Sequence, residues 1–208
     1  MSPATGRRAV HPIEAESYRI LRGLVDLSGL GPLSRAVAER VIHASADPAW
    51  ASDLVLDEQA LTGGLVALRS GSPVVVDARM VAAAVTSHAT LCALDLARSA
   101  ADPTAAQEEP AGTGATRSAA GVRAAFDQVG PGAVWVVGCA PTALDALLAL
   151  PASPALVVGL PVGFVGAVEA KRALAGSGLP AVTNRGAKGG SAVAAAAINA
   201  LLYHPEPA

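Results

Sequence analysis

The chain has 208 residues, 52% of them hydrophobic and 15% charged, which is enough to bury a full core as one domain and too apolar for a disordered chain. Fifteen basic residues against seventeen acidic leave a net charge of -2, so no overall field recruits nucleic acid or an anionic membrane, and any anion site must be local. The two cysteines, Cys92 and Cys139, sit in apolar runs without metal-ligand spacing; buried free thiols of a cytoplasmic protein are the simple reading.

The opening stretch "MSPATGRRAVHPIE" lacks the apolar core of a secretory signal, no later run approaches the length of a membrane span, and residues 1–10 are expected to be flexible. Residues 11–45 read as a helical lead-in: "PIEAESYRILRGLVDL", a break at "SGLGP", then "LSRAVAERVIHAS". On the second of these helices Leu33, Val37, Val41 and Ala44 form an apolar stripe, Arg40 falls within it, and His43 lies at its edge beside Ala36. An unpaired guanidinium there is costly, so Arg40 requires a carboxylate, a route to the surface or an anionic ligand. The plain alternative is that Arg40 snorkels and His43 satisfies a backbone carbonyl, and helix geometry by itself does not choose between them.

Beyond residue 50 the pattern alternates. "DLVL" (53–56), "SPVVVDA" (72–78), "TLCALDL" (90–96), "AVWVVG" (133–138), "ALVVGLP" (155–161) and "PAVTNR" (180–185) are short apolar runs with turn residues nearby, read as strands buried on both faces. Helical patterns separate them: "DEQALTGGLVALRSG", "TRSAAGVRAAFDQVG", "APTALDALLAL", "GAVEAKRALAGSG" and "GGSAVAAAAINALLYH". Such succession predicts an α/β domain over 11–204 with a mostly parallel, helix-covered sheet. The Pro/Gly-rich stretch 100–115 reads as a mobile loop.

Three stretches suit an anion. "TGATRSAAGVR" places Thr116, Arg117 and Ser118 at a helix start, where free N–H groups meet a cation; an ordinary N-cap beside a surface arginine is the alternative. "GLPVGFVGAVEAK" offers glycines at a strand-to-helix turn but fits neither phosphate-loop pattern. "TNRGAKGGSAVAAAAINALL" brings Arg185, Lys188 and Gly189-Gly190 together after the last strand, where open α/β sheets bind ligands.

Taken together, "HPIEAESYRILR", "AERVIHASAD", "DLVLDEQAL", "TRSAA", "GCAPTALDALL", "LPVGFVGAVEAK" and "NRGAKGGSAVAAAAINALL" closely resemble the precorrin-8X methylmutase (precorrin isomerase) family of cobalamin biosynthesis, from about residue 10 to 203. The resemblance implies a Rossmann-like α/β homodimer that moves a methyl group from ring carbon 11 to ring carbon 12 of a corrinoid precursor, giving hydrogenobyrinic acid or its cobalt counterpart. It implies no cofactor and no resident metal. It places the catalytic acid/base on His43 and substrate contacts on Ser17, Arg40 and Arg117, which suits an anionic macrocycle fringed with carboxylates.

Thr86 in "AAVTSHATL", with Arg185 and Lys188, completes the expected substrate-binding set. A methyl shift around a conjugated ring needs no nucleophile; it needs the right tautomer, and histidine titrates in the range to set it. The chain departs from the family at Cys139, commonly asparagine in "GNAPTAL", at Ala187, commonly acidic in "NRGEKGG", and most of all over 102–115. His11, His88 and His204 read as a helix-start, a loop and a C-terminal histidine. Two other functions compete: a corrinoid carrier without turnover, and a nucleotide-binding α/β enzyme using "LPVGFVG", the latter lacking an acidic residue at the expected spacing.

Overall fold

In the computed structural model, residues 11–100 and 116–205 are described; the expected flexible segments, 1–10 and all of 100–115 but its first residue, lie outside them. The lead-in forms helices α1 (Pro12–Leu24) and α2 (Pro32–Ser45). Both start on proline, whose fixed φ suits the first turn and whose missing N–H costs nothing there. The His11 ring caps α1 by accepting from the Ile13 amide at 3.2 Å, in keeping with its reading as a helix-start histidine. The N-cap of α2, Gly31, has no side chain to offer, and Glu58 supplies the cap from another helix, accepting from the Leu33 and Ser34 amides at 2.9 and 2.8 Å and from the Ser34 hydroxyl at 2.6 Å. Burial pushes the Glu58 carboxyl up, but these hydrogen bonds outweigh it and hold it below the usual range.

Among the described residues follow α3 (Trp50–Asp53), β1 (Leu54–Val55), α4 (Glu58–Arg69), β2 (Val74–Val76), α5 (Arg79–Ala84), β3 (Thr90–Cys92) and α6 (Ala93–Ala100). After the undescribed stretch come α7 (Arg117–Val129), β4 (Val134–Val137), α8 (Pro141–Leu148), β5 (Leu156–Gly159), α9 (Ala167–Gly176), β6 (Ala181–Asn184) and α10 (Ser191–Leu202). All six expected strands are present, in the order β1-β6-β5-β4-β2-β3, parallel except where β1 runs against β6. No helix among the described residues is long and apolar enough to cross a membrane.

Alternation along the strands divides the core between the two faces of the sheet. Val74, Val76, Val134, Val136, Leu156 and Val158 pack under α2, α4 and α10. Val75, Trp135, Val137 and Val157 pack under α7, α8 and α9. Helix α10 is buried almost all round, and its alanines let it lie close against both α2 and the sheet; a Cβ on Gly138, at the end of β4, would meet Ala194 of α10 at 2.8 Å.

Three sequence readings need correction. "TLCALDL" is a strand only as far as Cys92; from Ala93 it is helix, with Ala93 and Ala97 buried one turn apart, and a short apolar run does not distinguish the two periods. Burial on both faces holds for the central strands β2, β4 and β5, whereas the edge strands β1 and β3 are only partly covered. The buried face of α2 is Leu33, Ser34, Val37, Ala38, Val41 and Ile42; Ala44, placed in the apolar stripe, is exposed. Helices α10 and α1 together cover a wider arc of α2 than a single neighbour would, and α2 ends just beyond Ala44.

Candidate active site

Helices α1 and α2 form an antiparallel pair held by two polar clasps. Midway along α1 and near the end of α2, Ser17 Oγ lies 2.8 Å from His43 Nδ1. One turn further along α1, Arg22 makes a two-pronged ion pair with the mostly buried Glu39, both contacts at 2.8 Å. Between the clasps the Tyr18 ring stacks on the His43 imidazole, centroids 4.8 Å apart and planes 13° off parallel, and the Arg22 guanidinium lies 5.7 Å from the Tyr18 ring centre. Burial raises the Tyr18 phenol above its ordinary value, with the charge of Arg40 pulling the other way, so the hydroxyl stays protonated near neutrality.

Ser17 and Tyr18 therefore fix the position and tilt of the imidazole. If the serine donates to Nδ1, the proton of neutral His43 resides on Nε2; if Nδ1–H donates to the serine, Nε2 is the base. Beside this ring lies a cleft of about 140 Å³, lined by Ser17, Ile20, Leu21, Leu24, Ile42, His43, Ala46 and Pro48. Where Ala46 lines it the chain turns sharply, because Ala46 terminates α2 with a left-handed backbone, φ 51°. An imidazole with one nitrogen engaged, facing a mostly apolar cleft, is equipped to give or take one proton.

Arg40 sits one turn before His43 on α2, half-buried, its guanidinium 5.0 Å from the ring centre of Tyr203. No ion pair among the described residues engages it. The Tyr203 hydroxyl lies 2.6 Å from Thr86 Oγ1, so Arg40 and Thr86, expected as substrate contacts, meet through a tyrosine.

The remaining expected cations are placed differently. Lys188 pairs with Asp47 at 2.8 Å, just past the end of α2, and its ammonium lies 4.6 Å from the ring centre of Trp50. Arg185 donates to the carbonyl oxygens of Ser52 at 2.7 Å and Leu54 at 3.4 Å. Arg117 is exposed at the first position of α7, whose N-cap Thr116 accepts from the Ala119 amide at 3.2 Å and touches Thr142 of α8 at 2.7 Å. The structure thus gathers Ser17 with His43, Arg40 with Thr86, and Lys188 against the end of α2, while Arg117 stands on the α7–α8 side.

Two buried charges organise the loops at the carboxyl ends of the strands. Asp77, following β2, accepts from the amides of Gly138, Cys139 and Ala140 at 3.0, 2.7 and 2.9 Å; burial raises its carboxyl and these hydrogen bonds oppose the rise. The turn uses the backbone of Cys139, so the exchange of the family's asparagine for cysteine leaves this clasp intact. Burial, with the Asp77 charge beside it, also pushes the Cys139 thiol up, away from a nucleophilic thiolate.

Lys171 of α9 is wholly buried and donates to Asn184 Oδ1 at 3.0 Å and to the carbonyls of Lys188, at 2.8 Å, and Gly186. Asp53 completes the hub, accepting from Asn184 Nδ2 at 2.7 Å and the Gly186 amide at 2.9 Å. Here too Ala187 participates by its backbone, its carbonyl accepting from the Gly163 amide at 3.2 Å. Sequence reasoning misses Tyr18, Tyr203, Asp77 and Lys171. Lys171 does leave a trace, as a lone charge beside Ala167, Ala170 and Leu174 on the buried stripe of α9.

The model of the precorrin-8X methylmutase family matches residues 12–204. A cobalt-precorrin-8 methylmutase of Methanothermobacter thermautotrophicus is 38% identical over 208 residues, covering 97% of this chain and 96% of the relative. A precorrin-8X methylmutase of Pseudomonas aeruginosa is 39% identical over 206 residues, covering 93% and 95%. A crystal structure of precorrin-8X methylmutase from Thermus thermophilus superposes with a TM-score of 0.78 at 35% identity, covering 92% of this chain and 96% of that one. With the likeness running from α1 to the end of α10 in sequence and in fold, the chain belongs to the precorrin-8X methylmutase family and is an isomerase of cobalamin biosynthesis.

Proposed function

We propose that this isomerase moves a methyl group from ring carbon 11 to ring carbon 12 of precorrin-8X or cobalt-precorrin-8, with His43 as the general acid/base. The observation that carries the reading is the Ser17–His43 pair, stacked under Tyr18 at the edge of the cleft. As the bond from the methyl group to carbon 11 breaks and that to carbon 12 forms, no atom leaves; what changes is where the double bonds and one proton lie. His43 supplies or removes that proton, and Ser17 holds the imidazole in one tautomer while it does so. Arg40, Thr86 and Arg117, with Lys188 and Arg185 on the neighbouring loop, hold the carboxylates. Orientation of the ring in the cleft supplies a further part of the rate. We read the sheet as Rossmann-like in the broad sense, its strand order reversing between β2 and β4, and the enzyme as cytoplasmic, in keeping with its two free thiols.

The test is turnover. Purified protein is expected to convert precorrin-8X or its cobalt analogue, followed by absorption spectrum, with no added nicotinamide, flavin, S-adenosylmethionine or free metal. Binding without conversion of either would establish the carrier instead, and conversion only after a cofactor is supplied would overturn the reading. The nucleotide alternative has the observed turns against it. Three amides after β4 are already taken by Asp77, and the "LPVGFVG" loop presents Phe164 and Val165 almost fully exposed, poor neighbours for a phosphate.

We further propose a homodimer. Ile13, Ile20 and Leu24 are 74%, 50% and 65% exposed and lie with Ser17 along one side of α1. The cleft, at about 140 Å³, is small beside the roughly 300–1,000 Å³ pockets of drug-sized ligands, and a second copy laid along α1 would add a wall to it. Light scattering at micromolar concentration is expected to give twice the chain mass; a fully active monomer would remove the claim.

A further inference from the structure

We propose that Tyr203 is a positioning residue for substrate capture, holding Arg40 with its face and Thr86 with its hydroxyl. The inference rests on the reading of Arg40 and Thr86 as substrate contacts.

Tyr203 stands at the C-terminal end of α10, where its amide still bonds back to the Asn199 carbonyl at 3.0 Å. That last turn grips the end of α5 through Asn199 Nδ2 on the Ala84 carbonyl at 2.8 Å, and the segment just after it through the Tyr203 hydroxyl at Thr86. Helix α10 is in turn packed along α2, so the register of Tyr203 against Arg40 is set by two rigid helices. The guanidinium lies over the ring, an arrangement that favours the cation while consuming none of its five N–H donors. No described carboxylate pairs with Arg40, so those donors stay available to a substrate carboxylate. An arginine free to swing would lose side-chain entropy on capturing that group; one already stacked has lost part of it beforehand. Thr86 Oγ1, held at the other end of the same tyrosine, presents a hydroxyl whose distance from Arg40 is set by the ring between them.

Three variants separate the functions of the side chain. Tyr203→Phe keeps the ring and loses the hydroxyl, Tyr203→Leu loses both, and Tyr203→Gln loses the ring while keeping a polar tip, standing in should the leucine variant fold poorly. In the free protein the Arg40 Nε–Hε resonance, identified by its loss in Arg40→Lys, is expected to carry a ring-current shift that persists in Tyr203→Phe and vanishes in the ringless variants. Persistence of the shift without the ring would overturn the proposal.

In the second arm hydrogenobyrinic acid is titrated by its absorption. Losing the ring is expected to weaken binding about three- to tenfold, the worth of a cation–π contact, and to raise KM by a similar factor with kcat nearly unchanged. With Arg40→Ala already present, the same change is expected to cost much less, only what the released Thr86 hydroxyl contributes, which Tyr203→Phe measures by itself. An undiminished penalty in that background, or a loss confined to melting temperature, would make Tyr203 merely structural. Wild-type protein that neither binds nor converts the corrinoid would sink the functional reading instead, while the resonance of Arg40 judges the hold of Tyr203 on it separately.

Discussion

Replacing His43 by alanine is expected to lower turnover by a factor of about 10²–10⁴, the usual worth of a positioned acid or base, while the protein folds and still binds its product. The fold should survive because the buried apolar residues of α2, Leu33, Val37, Ala38, Val41 and Ile42, are all left in place, and the Arg22–Glu39 clasp still fastens α1. Binding should survive because Arg40 and Arg117 remain. The loss of the Ser17 contact and of the Tyr18 stack should lower stability by roughly 1–2 kcal/mol. Melting temperature, product affinity and single-turnover rate measured on one preparation decide the matter. A destabilised variant whose folded fraction keeps a near-normal rate would return His43 to a structural role.

The second large effect concerns stability. Lys171→Met is expected to cost roughly 3–5 kcal/mol, as removing one partner of a buried charged cluster commonly does. Burial lowers the Lys171 ammonium to about 8, Asp53 drawing it back up, so at neutral pH it is still predominantly charged and offers all three N–H donors. Methionine fills similar space but leaves the carbonyls of Gly186 and Lys188 and the Asn184 amide oxygen without their donor, and Asp53 without its neighbouring cation. For a chain of this size such a loss lowers the melting temperature by roughly 6–20 °C. Lys188 and Arg185 ride on the loop this hub secures, so product affinity of the surviving fold should fall as well. An unchanged melting curve would show that the hub contributes no stability.

Part of the site is legible in the amino-acid sequence. His43, Ser17 and Arg40 stand in local motifs, and the misfit of Arg40 on an apolar stripe follows from helix geometry alone. What covers Arg40 does not. Its neighbour, Tyr203, lies 163 positions further along the chain, and nothing in "INALLYH" distinguishes a tyrosine that ends a helix from one that stacks on a cation. Tyr18 is hidden for a related reason: one step along a helix turns a side chain by about 100°, and only the approach of α2 decides that both Ser17 and Tyr18 meet the same imidazole.

Strand positions are written in the sequence because burial of a central parallel strand demands a local run of apolar, β-branched residues, and "VVV", "VWVV" and "LVVG" are such runs. Helix starts at Pro12, Pro32 and Pro141 are likewise a matter of local backbone chemistry. Strand order, the antiparallel turn of β1 and the pairing of charges are decided only by tertiary structure. Asp77 with the turn after β4, Glu58 with the start of α2, and Lys171 with the loop after β6 each join a charge to backbone groups of another segment. Backbone amides and carbonyls are the same in every residue, so no pattern of side chains announces such a partner; it exists only once packing has brought the segment within hydrogen-bonding distance.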